Sequence, residues 1–330
     1  MVTNCNVAHK AIINENNTRE AIFNFVIDVD NDLINNAYLN ETIQKCMVCF
    51  NSGNYKTWSV KEMFYGTGDE FIYFECPNCS TLQITSIPKN INEYYPKNYY
   101  SFQKPQMLPV NPNIKKNPSM ILDVGCGNGS WLCSLAANGF INLFGCDPYI
   151  ENNLAYPNGV RINKCSIHDM EGEYDVIHLS HSFEHMHDPL EVFKSLNKLL
   201  KTGKGEYGYA PKIEIIIPLY PNLAFDIYGP YWYQIDAPRH FFIHSIKSIG
   251  MLAEDNDFNV ESISFQGSSG QFVVSRLYQL NVPFIEYERI YTDDSLSCLK
   301  NQLPTLEMLS NLTIFTSYSD QALFTLTRKI

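Results

Sequence analysis

The chain has 330 residues, 45% of them hydrophobic and 18% charged, which is enough to bury a full α/β core and carry one smaller module. Its 24 basic and 35 acidic side chains give a formal charge of −11, and no Lys/Arg cluster exceeds Lys115-Lys116. Such a surface repels phosphate backbones and argues against DNA or RNA as a partner. No window approaches eighteen uninterrupted apolar residues, and Met1 to Asn6 has neither a basic nor an apolar leader region, so the expectation is a cytoplasmic chain without a membrane span.

Residues 1–40 are rich in Asn and hold one apolar stretch, Ala21 to Ile27, whose helix or strand character the pattern leaves undecided. Two C-x-x-C knuckles follow, Cys46-Met47-Val48-Cys49 and Cys76-Pro77-Asn78-Cys79, with 26 residues between them, somewhat more than a zinc ribbon usually has. Each knuckle can give two thiolates to one tetrahedral Zn²⁺, and with all four positions filled the ion would be structural. The bland reading is four buried free cysteines. A redox pair fits less well, because neither knuckle opens a helix in a βαβ setting. Phe71-Ile72-Tyr73-Phe74 reads as a strand feeding the second knuckle. With the dense aromatic segment Tyr94 to Phe102 it completes a module over 41–105, and a Pro/Asn/Lys stretch through Pro118 marks the boundary to a domain over 106–330.

That domain alternates strand and helix, as a parallel sheet covered on both faces does. Strands are expected near 120–124, 142–146, 160–165, 174–180, 213–219, 258–265 and 321–328, and helices near 129–138, 188–201 and 243–256. Two insertions interrupt it, an aromatic one near 220–242 and another near 278–318, which would cover the site or mediate contacts between chains.

The first strand, Ile121 to Val124, runs into Gly125-Cys126-Gly127-Asn128-Gly129 and then a helix. Small residues let the backbone approach a ligand, and the helix start offers free N–H groups. A dinucleotide fingerprint would have a third glycine where Ser130 stands. Asp123, two residues before the first glycine, would repel a pyrophosphate but welcome an ammonium group, and the second strand ends in Asp147. These features favour S-adenosylmethionine over NAD.

Leu122 to Gly129 resembles the first motif of the class I S-adenosylmethionine-dependent methyltransferases. Tyr174 to Ser180 resembles their fourth strand, and Phe183 to Pro189 the segment leading into the next helix. The resemblance implies a Rossmann-like α/β fold, here a seven-stranded sheet with one antiparallel strand near the edge and a small N-terminal zinc-binding module. It also implies a cofactor set of Asp123, Gly125, Cys126, Gly127, Asp147, Pro148 and Ser180. With Cys46 to Cys79, Tyr94 to Phe102 and Tyr228 to His240, the chain is similar to a bacterial group that carries an N-terminal cysteine module and often sits with surface-polysaccharide or sugar-modifying genes. This implies O-methylation of a sugar, nucleotide-sugar or glycan hydroxyl, with a small-molecule or glycan acceptor and a homodimer as the partners to consider. Related sugar C-methyltransferases add a large C-terminal domain for which this chain is too short. The alternatives are C- or N-methylation of a small metabolite, or a noncatalytic partner subunit with the same fold.

Methyl transfer to a hydroxyl needs in-line alignment and a proton acceptor, a task that suits histidine near neutral pH. His240 and His185 are the candidate catalytic residues, ahead of His181; each could instead fix a loop. If His181-x-x-Glu184-His185 is helical, His181, Glu184 and His185 share a face and could hold a second divalent metal. That spacing loosely resembles the metal-binding segment of ubiquinone-pathway O-methyltransferases, and it also occurs at helix starts without metal. In the aromatic insertion, Tyr231, Trp232 and Arg239 are the candidate substrate residues, with core packing as the competing reading for the aromatic rings.

Overall fold

A computed structural model describes residues 38–96, 99–109, 114–203 and 210–329. The apolar stretch Ala21 to Ile27 lies outside the described residues. Two sheets share one core. The smaller is an antiparallel meander of β1 (Tyr38–Lys45), β2 (Ser52–Lys61), β3 (Glu70–Glu75) and β4 (Leu82–Ile84). The first knuckle forms the β1–β2 turn and the second the β3–β4 turn.

The larger sheet contains β5 (Asn117–Val124), β6 (Phe140–Cys146), β7 (Leu154–Ala155), β8 (Arg161–Asn163), β9 (Val176–Ser180), β10 (Lys212–Pro218), β12 (Phe258–Gln266) and β13 (Gln321–Arg328), in the order β12-β13-β10-β9-β5-β6-β8-β7. Pairing is parallel from β10 through β8, while β13 runs antiparallel between β10 and β12. All seven expected strands are present. The eighth, two-residue β7 pairs antiparallel at the far edge, too short to leave a periodic signal. On β10 and β13 the buried residues alternate, and Ile213, Ile215 and Ile217 stand opposite Leu326, Phe324 and Ala322, which fixes the register by burying one apolar face of each strand.

Three expected helices form between these strands. Helix α1 (Ser130–Ala137) starts from Gly129 in the left-handed region (φ 79°). Helix α2 (Pro189–Leu199) has Asp188 as its N-cap and Pro189 in its first turn, and buries Val192, Phe193, Leu196 and Leu199 at helical spacing. The third, Ile246–Asp255, is capped reciprocally by Ser245 and Ser248, three residues later than the sequence boundary.

The aromatic insertion is ordered. A short helix, α3 (Leu223–Tyr228), is capped by Asn222 and followed by two 3₁₀ turns, after which β11 (Phe242–Ile243) pairs antiparallel with β4. With Ile246–Asp255 as α4, the second insertion comprises α5 (Gly270–Gln279), which starts before it, α6 (Arg289–Thr292) and α7 (Ser297–Phe315), and α7 packs on α5. One hydrophobic cluster joins Cys46, Tyr73 and Leu82 of the small sheet to Leu122, Ile213 and Phe324 of the large one, so packing crosses the boundary expected near residue 105.

Candidate active site

From β5 the chain steps outward to β6 and β8, then returns to β9 on the other side of β5. The carboxyl ends of β5 and β9 therefore flank a crevice at the topological switch point. A cavity of about 590 Å³ opens there, within the range that encloses a small ligand. Asp123, Gly125, Cys126, Asp147, Pro148 and Ser180 line it, as do His181 and His185.

The glycine loop is shaped by the protein itself. At Gly127 (φ 53°) a Cβ would stand 2.3 Å from the main-chain oxygen of Ser101, and at Gly125 (φ 74°) one would stand 2.4 Å from Ser182 Cβ. Asn128 N–H donates to the Ser101 carbonyl at 3.0 Å, and its side-chain amide donates to the Phe102 carbonyl. The aromatic segment assigned by sequence to the cysteine module thus lies over the cofactor motif, and Tyr95, Tyr99 and Phe102 line the cavity. Tyr95 stacks on Tyr149 with ring centroids 4.9 Å apart.

The two acids differ in environment. Asp147 accepts from Gly127 N–H at 2.9 Å and Tyr149 N–H at 2.8 Å, so it holds the loop as well as facing the cavity; burial raises its pKa, and these bonds oppose the rise. Asp123 is buried, and desolvation pushes its carboxyl up to about 7, with His178 pulling down and Asp147 pushing up. His178, stacked on Trp131 at 4.0 Å and 3.5 Å from Glu214, also lines the cavity. Sequence reasoning missed both His178 and Trp131. Their only signal was position, on the fourth strand and in the first turn of α1.

Beyond Ser180 the chain does not continue as a helix. His181 takes φ 49°, Phe183–His185 forms one 3₁₀ turn, and α2 begins only at Pro189. This corrects the helical premise of the His181/Glu184/His185 triple. The set whose ligand atoms all lie within 4.8 Å of one another is Glu184, His185 and His240. Glu184 is fully buried and has His181 Nδ1 at 3.4 Å and His240 Nε2 at 3.9 Å from Oε1. Burial pushes its carboxyl up, but His181, His185 and His240 together bring it down to about 2. His240 Nδ1 lies 2.8 Å from the Gln234 carbonyl and His185 Nδ1 2.9 Å from the Arg239 carbonyl. A carbonyl only accepts, so each Nδ1 carries a hydrogen. Burial, then His185, lowers the His240 pKa to about 4, which keeps that ring neutral. The two rings meet edge to face at 4.7 Å. His185 lines the cavity, whereas His240 is not among its lining residues.

The candidate substrate residues lie elsewhere. Trp232 is fully buried against Phe225, and Tyr231 packs half-buried on the core. Arg239 is fully buried: Nε donates to Asp236 at 2.8 Å, Nη2 reaches Glu62 at 3.2 Å, and the guanidinium lies over Phe64 at 4.8 Å. None of the three lines this cavity, and the Arg239 cation is spent inside the fold.

The four knuckle cysteines converge. Cys46–Cys79 and Cys49–Cys76 sulfurs are each 3.5 Å apart, and all four lie within 4.8 Å of one another. A Zn–S bond of about 2.3 Å implies an S–S edge of about 3.8 Å, so the donor set fits a tetrahedral ion. Cys46 also accepts from Val48 N–H and the Gln83 amide. The hydrogen bond with Cys79, opposed by burial and aided by backbone N–H, brings its thiol down to about 5.

Residues 100–263 match the family model described as a methyltransferase domain. No curated protein matches the chain. Among solved structures, it is similar to a cyclopropane synthase from Mycobacterium tuberculosis at 15% identity, covering 66% of this chain and 80% of that one with a TM-score of 0.39. It is similar to a magnesium protoporphyrin IX methyltransferase from Synechocystis at 13% identity, with coverages of 64% and 71% and a TM-score of 0.36. An O-methyltransferase from Brevibacillus brevis shows 13% identity, coverages of 64% and 67%, and a TM-score of 0.38. The matched stretch, residues 100–263, is thus similar to a methyltransferase domain.

Proposed function

We propose that the chain is an S-adenosylmethionine-dependent methyltransferase acting on a hydroxyl of a sugar or glycan. The observation that carries this reading is one cavity at the switch point whose wall holds Asp123, Gly125, Cys126 and Asp147 together with His185. The residues fit the cofactor: Asp123 suits the methionine ammonium, Asp147 the ribose hydroxyls, and Gly125 to Gly127 let the backbone come close. When bound, S-adenosylmethionine supplies an electrophilic methyl group. His185 lines the cavity and the neutral His240 ring stands against it, and in this reading their imidazoles ease removal of the hydroxyl proton.

Among the described residues lining the cavity there is no Lys or Arg, whereas Asp123, Asp147 and Asp188 are present. A bare phosphate would have no fixed cation to meet, which favours a neutral sugar over a nucleotide-sugar. Tyr95, Tyr99 and Tyr149 offer flat faces with polar edges for a sugar ring. The cysteine cluster holds a structural Zn²⁺ in this reading. Isothermal calorimetry with S-adenosylmethionine and with NAD, followed by S-adenosylhomocysteine release over a panel of neutral sugars, tests the proposal. Binding of NAD alone would overturn it, and cofactor binding without turnover on any hydroxyl acceptor would overturn the acceptor class.

A further inference from the structure

We propose that Glu184, His185 and His240 form a binding site for one divalent transition-metal ion at the wall of the cavity. Three independent features converge on it. One ligand atom of each residue lies within 4.8 Å of the other two, a spread that small side-chain adjustments would close around an ion. Both imidazoles have Nδ1 against a backbone carbonyl, Gln234 for His240 and Arg239 for His185, whose Nδ1 also has the Tyr95 hydroxyl at 3.0 Å; this leaves Nε2 open to an ion and sets each ring by partners behind it. Glu184 is fully buried, and its carboxylate oxygens, which accept no well-formed hydrogen bond, meet only the imidazoles of His181 at 3.4 Å and His240 at 3.9 Å. Burying a carboxylate is costly, and a metal ion bound between it and the imidazoles would offset that cost.

The backbone holds this arrangement. Phe241 N–H donates to the Glu184 carbonyl at 2.8 Å, tying the turn after β9 to the segment that carries His240. Two imidazoles and one carboxylate suit Mn²⁺, Fe²⁺ or a similar ion rather than Ca²⁺, and the set is chemically distinct from the four thiolates of the knuckles, which select Zn²⁺. Because His185 lines the cavity, coordination positions not filled by protein would face the acceptor. The site's role rests on the methyltransferase reading, in which a bound ion would orient the acceptor oxygen and ease loss of its proton in place of the imidazole lone pairs; its ability to bind metal does not.

The test uses the full chain with its cysteine site loaded with Zn²⁺, titrated with Mn²⁺ and followed by the electron paramagnetic resonance of free Mn²⁺. One Mn²⁺ per chain is expected, with affinity weakened at least about tenfold in Glu184→Gln and in His185→Ala while zinc content stays constant. Absence of Mn²⁺ binding, or binding unchanged in the variants, overturns the proposal. If Glu184→Gln fails to fold, His185→Ala decides, since its half-buried ring leaves the core intact. Calorimetry with S-adenosylmethionine on the same sample separates the two readings. Cofactor bound without Mn²⁺ overturns the metal site alone, and Mn²⁺ bound without cofactor overturns the methyltransferase reading alone.

Discussion

The hydroxyl of Tyr73, buried on β3 of the small sheet, donates to the main-chain carbonyl of His240 at 2.7 Å. It is one of several links from the cysteine module to the segment beside the cavity. Ile84 N–H donates to the Phe241 carbonyl at 3.0 Å, and Ser245 Oγ to the Cys79 carbonyl at 2.6 Å. Through these bonds and the pairing of β11 with β4, residues 240–245 form a strap whose outer side belongs to the module and whose inner side reaches Glu184.

Replacing Tyr73 by Phe keeps the ring and removes the donor, leaving a buried carbonyl without that partner. A loss of about 1 to 3 kcal/mol in unfolding free energy is expected. S-adenosylmethionine affinity should hold within about twofold, because Asp123 and the glycine loop sit on other elements, while S-adenosylhomocysteine release falls as His240 loses its anchor. Urea unfolding with the variant at wild-type stability would show that the link contributes nothing.

The strap also sets what zinc loss should do. Purified without chelator, the protein is expected to hold one Zn²⁺ per chain, and Cys76→Ser to lower both metal content and melting temperature. Since β4 follows directly on the second knuckle and pairs with β11, turnover should fall further than cofactor affinity. Elemental analysis that finds no zinc in the wild-type protein would contradict this.

The parallel sheet was legible because each strand carries a short apolar run bounded by turn residues, and α2 because Asp188-Pro189 precedes a helical stripe. The glycine loop at the head of the cavity was legible from Asp123, its glycines and Asp147. What the sequence hid were relationships between distant segments. Nothing local marks Ser101 as the neighbour of Gly127, or Glu62 as the counter-ion of Arg239, 177 positions away. The His181 spacing misled for a local reason. A left-handed residue breaks the helix that the i, i+3, i+4 argument needs, and His240, distant in sequence, takes that place.

Arg239 illustrates the cost of reading a cation as a substrate ligand. With Asp236 and Glu62 as buried partners, Arg239→Ala would leave two carboxylates without their shared cation, and a destabilisation of about 3 to 5 kcal/mol is expected. The loss should appear in denaturant midpoints before any assay is run. A folded variant of wild-type stability, with only a raised KM for the acceptor, would restore the substrate role.

Asp123 gives the sharpest pH dependence. Burial holds its carboxyl near 7 in the cofactor-free protein, against an ordinary value of 3.8. For an acid with a raised folded pKa, the penalty on the cofactor-free fold grows as pH rises from about 4 to about 7 and is complete above that. Cofactor binding runs the other way. The methionine ammonium, whose pKa as an α-amino group is about 8, is charged throughout the acidic range and needs the carboxylate ionised. Below pH 7 a proton competes for Asp123, so the S-adenosylmethionine Kd should rise by up to about tenfold per pH unit on going downward, be lowest between about pH 7 and 8, and rise again above that as the ammonium loses its proton. Asp123→Asn should weaken binding by about 1.5 to 3 kcal/mol at pH 8, roughly tenfold to a hundredfold, and flatten the profile. Calorimetric titrations at several pH values on both proteins would check it. A wild-type affinity that stays constant as the pH falls would mean that Asp123 shapes the loop without meeting the ammonium.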